Sequence, residues 1–429
     1  MKIIRTQGRS RKKAARLIES LERRGSASLE SVLPTVKRLV SNVRRQGDWP
    51  LLRYARQFDG LAGLGARRVK REEMAAAWAA IEPQMQSALT TAANQIRAFA
   101  RLQMPQSWSD TPIPGLTTGQ LVRPLASVGC YVPSGRHPLP STLLMTAIPA
   151  QVAGVARIVV VSPKPAPETL AAASLLGIEE FYRIGGAHAI AALAYGTATI
   201  ARVDKIVGPG NSYVTAAKRL VAFDCAIDML AGPTEIVVTS DHGRAADIAA
   251  DLVAQAEHDP EALAIFITTN AALAEEVLAE CETRSQHNTV ARRALRDNGA
   301  ILLATNTDEA RSITNRIAPE HLTVDSAADL DWVTNAGSVF IGRWSAQPMG
   351  DYISGPNHTL PTGGMARVRG GLSVNDFVKL ITVQEYAPDA INLLGPQAAL
   401  LAEAEGLTGH AEAIRTRLDP PSRKEKTNA

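Results

Sequence analysis

The sequence predicts an α/β protein with two lobes, each built on a parallel β-sheet, and with helical extensions at both ends. From Leu121 onward, short apolar runs alternate with helical segments, which is typical of parallel sheets flanked by helices. The apolar spacing before and after that region is helical instead. A chain of 429 residues, 45% of them hydrophobic, is long enough for more than one domain and a large core.

The elements follow in a clear order. About the first 100 residues have helical apolar spacing, with Pro and Gly at the joins. A first series of predicted strands comprises SVGCYVP, ARIVVVSP, FYRIGG and KIVGPG. A second series comprises EIVVTS, ALAIFITT, GAILLAT and SVFIG. After Asp376 a return to helix is predicted, through FVKLITVQEY and PQAALLAEAEGLTGHAEAIRTRL, before a polar tail.

Composition argues against several classes of protein. The net charge is only +4 and aromatic residues are 4%, so a nucleic-acid-binding surface is not expected. No secretory signal and no apolar stretch of about 18 residues is visible, which predicts no membrane span. The three cysteines lie far apart and favour neither a disulfide framework nor a thiolate metal cluster. We expect a cytoplasmic protein.

Gln255 and His258 are the first candidate metal ligands. Their spacing within a helical run places both on one face. Three later segments, APEH, GDYISGPNH and EGLTGH, could supply the remaining ligands. Asp351 is the strongest of these, because a carboxylate in a glycine-bounded loop can approach an ion. Gln, His, Asp and one more His would suit a catalytic zinc, whereas each His alone is more often an ordinary polar residue.

Glu320 and His321 place an acid and a base side by side after Pro319. Directed into a cleft, they would suit general acid–base catalysis. The alternative is a helix start that favours Glu for its charge, and the sequence alone does not choose between the two. The turn at Gly208–Asn211 similarly suits either an anion or an ordinary strand-to-helix connection. No G-x-G-x-x-G pattern is present, so glycine spacing does not indicate NAD.

The chain resembles the histidinol dehydrogenase family over nearly its whole length. The resemblance rests on ordered motifs: CYVPSG, IVGPGNSYVTAAK, AGPTEI, DLVAQAEH, APEHL, GDYISGPNH and EGLTGHAEA. It implies two Rossmann-like lobes in a zinc-dependent homodimer. It further implies oxidation of a primary alcohol to a carboxylate by two NAD, through an aldehyde held in the site, with L-histidinol converted to L-histidine as the default reaction.

The resemblance also implies roles for individual residues. The acid/base pair would be Glu320 and His321. The zinc ligands would be Gln255, His258, Asp351 and, from the partner subunit of a shared site, His410. Substrate would contact these four ligands, His321, Thr234, His358 and Glu405. NAD would contact Tyr131, His188 and Asn211.

The implied domains are discontinuous. They are residues 1–24 as an N-terminal helical arm; 25–124 as the helical part of a first lobe completed by 232–375, which binds metal and substrate; 125–231 as the NAD-binding second lobe; and 376–429 as a C-terminal helical dimerisation arm and tail.

Four positions depart from the family pattern. Ser134 stands in place of a glycine, Thr146 of an asparagine, Thr234 of a serine and His188 of a glutamine. These changes leave open a relative acting on another amino alcohol or on a sulfonated diol, as in sulfopropanediol dehydrogenase. Arg136–His137 could favour an anionic substrate. A zinc hydrolase and a non-enzymatic two-lobed binding protein are the alternatives from other classes.

Overall fold

The computed structural model describes residues 1–25, 29–61, 68–134 and 138–418. The strands are β1 Ile3–Arg5, β2 Trp108–Ile113, β3 Leu116–Pro124, β4 Ser127–Tyr131, β5 Arg157–Val161, β6 Glu180–Tyr182, β7 Lys205–Val207, β8 Ala226–Ile227, β9 Glu235–Thr239, β10 Leu263–Thr268, β11 Gly299–Leu303, β12 His321–Val324, β13 Ser338–Ile341 and β14 Val378–Tyr386.

The α-helices are α1 Arg11–Glu22, α2 Leu33–Gln46, α3 Asp48–Tyr54, α4 Arg71–Ala80, α5 Pro83–Leu102, α6 Pro140–Ala153, α7 Pro167–Leu175, α8 Gly186–Tyr195, α9 Ser212–Val221, α10 Ala245–Ala256, α11 Ala271–Ser285, α12 Thr289–Asp297, α13 Thr307–Ile317, α14 Gln347–Tyr352, α15 Pro388–Ala404 and α16 Thr408–Arg415. The chain forms two compact units. The first contains Met1–Gln103 and Leu125–Phe377, and the second contains Met104–Pro124 and the described residues from Val378 onward.

The first unit contains a six-stranded parallel sheet in the order β1-β11-β10-β9-β12-β13. Alternate residues of its strands enter different cores, as the two-residue period of a strand requires. Phe266 of β10 packs with α10, α11 and α12 on one face. Ile265 and Ile267 pack with α1 and α13 on the other. Both faces are covered, which explains why β10 is apolar throughout.

A five-stranded parallel sheet, in the order β6-β5-β4-β7-β8, forms the other half of the first unit. The predicted fold class, α/β with two parallel-sheet lobes, is therefore confirmed. All eight strands predicted from apolar runs are present, as β4 to β7, β9 to β11 and β13.

The N-terminal helices pack differently from the predicted grouping. Residues 25–124 were expected to complete the lobe of residues 232–375. The apolar faces of α2 and α3, including Val36, Val40 and Leu51, instead enter the core of the five-stranded sheet with α8 and α9. Apolar periodicity predicts that a helix has a buried face but not which sheet covers it. The outer boundaries of the domains stay a prediction.

The second unit is an antiparallel sheet in the order β14-β3-β2, together with α15 and α16. The predicted helix over FVKLITVQEY is wrong, because β14 pairs with β3 from Val378 opposite Pro124 to Tyr386 opposite Leu116. The helical assignment of 25–124 is likewise wrong for β2 and β3. Val, Ile and Thr in β14 favour a strand, but its partner lies far away in sequence. Among the described residues, no helix has the length and apolar character needed to cross a membrane.

Candidate active site

The candidate site lies where β9 and β12 begin. Glu320 directly precedes β12, and His321 is its first residue, paired with Ile236 of β9. Ala318 ends α13 in the left-handed conformation, with φ of 50°, and Pro319 prevents the helix from continuing. The turn therefore delivers an acid and a base to one edge of the sheet.

Glu320 is buried against the start of β9. Its Oε2 accepts hydrogen bonds from Thr234 Oγ1 at 2.6 Å and from the Glu235 backbone N–H at 2.8 Å. Burial disfavours the carboxylate and raises the pKa of Glu320 to about 7, although these donors and His321 oppose the shift. A carboxyl group that titrates near neutral pH can both accept and release a proton.

His321 is buried between two carboxyl groups. Its Nδ1 lies 3.0 Å from the Glu235 carbonyl oxygen, which can only accept, so Nδ1 carries the proton. Nε2 lies 3.7 Å from Asp351 Oδ1 and has no hydrogen-bond partner in the part of the chain that the structure describes. Burial opposes ionisation, but the charges of Glu320 and Asp351 outweigh it and raise the pKa of His321 to about 9.

Gln255 reaches the same edge from the last turn of α10. A helix between two parallel strands runs opposite to them, so it ends where the next strand begins. The Gln255 amide is buried and donates to Thr234 Oγ1. Its Oε1 is also buried, without a hydrogen-bond partner among the described residues. An orphaned amide oxygen is a feature expected of a ligand whose cation is absent.

Helix α14 contributes Asp351 to the site. Its Oδ2 accepts from Gln347 Nε2 at 3.2 Å, and its backbone oxygen accepts from His358 Nδ1 at 2.8 Å. Burial opposes ionisation of Asp351, but His321, His358 and His258 hold its pKa below the ordinary value. His258 itself is exposed just after α10. α10 ends at Ala256, so His258 lies beyond the helix on which it was predicted together with Gln255.

The predicted zinc set fits this part of the structure in its chemistry. The first unit offers an amide oxygen, an exposed imidazole and a carboxylate with a free oxygen. Imidazole and carboxylate are common zinc ligands, and the amide adds a further oxygen donor. Within the described ranges, no group of three His, Cys, Asp or Glu residues could hold a metal. The predicted set includes a Gln, so this chain's own share contains only two residues of those four types.

A cavity of about 340 Å³ opens beside these residues. Polar and large apolar side chains both line it. The polar ones are His321, Asp351, His358 and Asn357, and the apolar ones are Phe340, Trp344 and Met349. Cavities for small ligands begin at roughly this volume. His358 stands in it with Nε2 3.4 Å from Thr142 Oγ1, and burial lowers its pKa. The cavity suits a small polar substrate.

The predicted NAD residues all have partners within the chain. Tyr131 is buried at the end of β4, and its hydroxyl accepts from the Gly186 backbone N–H at 3.1 Å. Burial raises the pKa of Tyr131 to about 12. His188 is buried with its Nε2 2.8 Å from Asp59 Oδ2. Asn211 caps α9, accepting from two backbone N–H groups. Their role toward NAD stays a prediction.

Two further predicted residues belong to the second unit. His410 lies in α16 and Glu405 follows α15, and both are exposed. Their roles as zinc ligand and substrate contact stay predictions.

The departures from the family pattern have local partners. Thr146 is fully buried and donates to the Thr142 carbonyl at 2.7 Å. Ser134 Oγ accepts from the Lys164 backbone N–H at 2.8 Å. Thr234 links the site, because it donates to Glu320 and accepts from Gln255. Arg136 and His137 lie outside the described residues.

Two supporting residues were not predicted from the sequence. Gln347 contacts Asp351, and its position four residues earlier on a helix was the available signal. Glu235 contacts both members of the acid–base pair through its backbone. The Glu235 side chain is held by Arg24, whose Nε and Nη2 lie 2.7 and 2.5 Å from its two oxygens. No local pattern in the sequence indicates the contact between Arg24 and the Glu235 side chain.

Comparison with known proteins identifies the group to which this site belongs. The family model described as histidinol dehydrogenase matches residues 22–418. The chain belongs to the histidinol dehydrogenase family. Membership makes it an oxidoreductase, an NAD-dependent dehydrogenase that acts on an alcohol.

Individual members of the histidinol dehydrogenase family agree over nearly their full length. Histidinol dehydrogenase of Geobacter sulfurreducens is 43% identical over 408 residues, covering 92% of this chain and 95% of that protein. The Geobacillus kaustophilus enzyme is 46% identical over 412 residues, covering 93% and 97%. The crystal structure of histidinol dehydrogenase from Elizabethkingia anophelis superposes with a TM-score of 0.91 at 35% identity, covering 97% and 98%.

Proposed function

We propose that the chain oxidises a small polar primary alcohol to a carboxylate with two NAD, through an aldehyde that stays bound. L-Histidinol is the default alcohol and L-histidine the product. The observation that carries the proposal is the buried Glu320–His321 pair, whose free imidazole nitrogen faces Asp351 beside a cavity of about 340 Å³. Membership of the histidinol dehydrogenase family supports the choice of alcohol.

Gln255, His258 and Asp351 would hold the zinc, with His410 of the partner subunit as the fourth ligand. Zinc would anchor and polarise the heteroatoms of the alcohol when bound. The orphaned Gln255 oxygen and the free Asp351 oxygen support this set.

His321 would remove the hydroxyl proton in each oxidation. Its Nδ1 is fixed by the Glu235 carbonyl, which leaves Nε2 as the accepting atom. Glu320 would take a proton from the water that adds to the aldehyde between the two hydride transfers. Thr234 and the Glu235 N–H hold the Glu320 carboxylate for that task. Each hydride leaves with its electron pair for one NAD, so two reduced cofactors form per alcohol.

The second unit supports the proposed homodimer. It exposes many large apolar side chains: Leu380, Ile381, Val383, Tyr386, Leu393, Leu400, Leu401 and Leu407. Exposed apolar surface of this extent more often forms an interaction site than stays in contact with solvent. A symmetric dimer would give each site one His410. A cytoplasmic location belongs to the same proposal, with three buried free cysteines as its support.

The test of the proposed function is a turnover screen with zinc and NAD present. It compares histidinol with other amino alcohols and with sulfonated diols, because Thr234 departs from the family pattern at the site. We expect histidinol to give two reduced NAD per molecule consumed. Preferential turnover of a sulfonated diol would replace the substrate but keep the chemistry. Absence of reduced NAD with every alcohol in the screen would contradict the dehydrogenase and favour the alternative of a zinc hydrolase.

The pH dependence follows from the two shifted groups. Glu320, with a pKa of about 7, accepts a proton only above that pH, and His321, with a pKa of about 9, only when it is neutral. We therefore expect kcat/KM to rise from about pH 7 to about pH 9. Neutralisation of Asp351 by a bound cation would move this rise to lower pH without changing its sign. A rate that falls over this range, in protein shown to stay folded, would contradict these roles.

Glu320→Gln should separate the two oxidations. The amide retains the shape and an acceptor oxygen but cannot take a proton from water. We expect the second reduced NAD to form about 10²–10⁴-fold more slowly, while formation of the first is much less affected. Rapid-mixing absorbance at the reduced-nicotinamide band resolves the two steps. Equal loss in both would refute the assignment of water activation to Glu320.

A further inference from the structure

Gln347 is a buried polar residue to which the proposed reaction gives no chemical task. It is the first residue of α14 and is 1% exposed. Its Nε2 donates to Asp351 Oδ2 at 3.2 Å, one helical turn further on. A carboxylate can only accept, so the amide must present its nitrogen to Asp351. The contact therefore has one possible orientation.

This contact decides which oxygen of Asp351 is free. Oδ2 is engaged by Gln347, whereas Oδ1 lies 3.7 Å from His321 Nε2 at the site. Without the amide, the carboxylate could rotate about its terminal bond, which has no strong preference of its own. Gln347 thus holds Oδ1 toward the site.

The backbone of Gln347 is tied to a second helix. α14 contacts α10, and the Gln347 N–H opposes the rise that burial causes in the pKa of Asp251, which lies on α10 one turn before Gln255. The first turn of α14 is therefore attached to the helix that presents Gln255. Gln347 therefore lies beside both helices that carry proposed zinc ligands, α10 with Gln255 and α14 with Asp351.

The other end of the Gln347 amide argues against a purely stabilising role. Gln347 Oε1 is buried and has no hydrogen-bond partner among the residues that the structure describes. A buried oxygen without a partner weakens the folded state. An apolar side chain of the same length would avoid that penalty. The amide is thus explained by what its nitrogen holds.

We propose that Gln347, anchored by Asp251, is a positioning residue that orients Asp351 as a zinc ligand. The inference rests on the proposed zinc site. Residues that hydrogen-bond to a metal-binding carboxylate tune its geometry and its affinity for the metal.

The test measures the zinc dissociation constant by competition with a chromogenic chelator on metal-stripped protein. Gln347→Met retains the length of the side chain but removes the N–H donor. We expect zinc affinity to fall by about 10- to 100-fold. Gln151→Met is the matched control, because it removes a 2.7 Å amide bond to the Leu176 carbonyl away from the site. The control should bind zinc like the unmodified protein.

A double variant shows whether Gln347 acts through Asp351. In protein that already contains Asp351→Asn, adding Gln347→Met should weaken zinc binding much less than it does in unmodified protein. Equal weakening in both backgrounds, or in the Gln151→Met control, would overturn the inference. Failure of the unmodified protein to bind zinc would overturn the proposed metal site as well, so the two failures are distinguishable.

The Asp251 end provides a second, independent pair of variants, which also serves if Gln347→Met fails to fold. Asp251→Asn retains an oxygen that can accept from the Gln347 N–H, whereas Asp251→Ala does not. We expect zinc affinity to fall in Asp251→Ala and to be largely preserved in Asp251→Asn. Thermal unfolding of the metal-free proteins checks their folding. Identical zinc affinities in the two variants would contradict the anchoring role.

Discussion

His321→Asn should lower kcat by about 10²–10⁴-fold, because a general base contributes a factor of this size. His321 is the single imidazole in the described residues that combines a fixed Nδ1 with an unpartnered, buried Nε2 facing a carboxylate. Asn is polar and fits the buried position but cannot accept a proton near neutral pH. Initial rates of NAD reduction at saturating substrate measure the effect.

Zinc content distinguishes loss of the base from loss of the metal. His321 is not one of the proposed ligands, so the His321→Asn protein should retain its zinc. His287→Asn is the matched control, because His287 is exposed between α11 and α12. Unchanged kcat in His321→Asn would remove His321 from the proton transfers. Loss of zinc from that variant would show instead that His321 belongs to the metal site.

Two inactive variants should restore part of each other's activity if the site is shared between subunits. His258→Asn and His410→Asn should each be almost inactive alone, since each removes a proposed zinc ligand from every site. After subunit exchange of an equal mixture, half of the dimers are hybrids, each with one intact site. We therefore expect recovery of about a quarter of the unmodified activity.

The recovery depends on which chain supplies His410 to a given site. If His410 served its own chain, each hybrid site would still lack one ligand and the mixture would stay inactive. Mass spectrometry of differently tagged chains verifies that exchange has taken place. Inactivity despite verified exchange would contradict the site shared across subunits.

The parallel sheets could be predicted because their strands are locally distinctive. Buried strands such as β5 and β10 are continuous apolar runs, and helical segments between them imply parallel neighbours. Short strands such as β1 and β12 escaped prediction. In β12, the site residue His321 occupies the first position, so the apolar run is too short to be distinctive.

The rest of the fold could not be predicted because it depends on pairing between residues far apart in the sequence. β14 contains residues that suit a strand, but its partner β3 lies more than 250 residues earlier. The same limit explains the grouping of α2 and α3 with the wrong sheet. A helix shows its apolar face in the sequence, whereas the surface that covers it depends on contacts far along the chain.

Within the site, the sequence predicted side chains that are neighbours in the chain, but it did not predict contacts between distant residues. Adjacency predicted the Glu320–His321 pair, whereas His258 lies beyond the end of the helix on which it was predicted with Gln255. The hydrogen bond between His188 and Asp59 joins residues 129 positions apart. The pairing of Arg24 with Glu235 spans 211 positions. Neither pair forms a sequence motif. The contact of His188 with Asp59 and the contact of Glu235 with Arg24 therefore became visible only in the structure.

Removal of the metal gives the sharpest test of the proposed zinc site. In the proposed site, Gln255, His258 and Asp351 hold a zinc beside the Glu320–His321 pair. Purified protein should contain about one zinc per chain. It should lose NAD reduction with histidinol after stripping by a chelator and regain it when zinc is returned. Full turnover by protein shown to be free of metal would contradict a zinc-dependent reaction at this site.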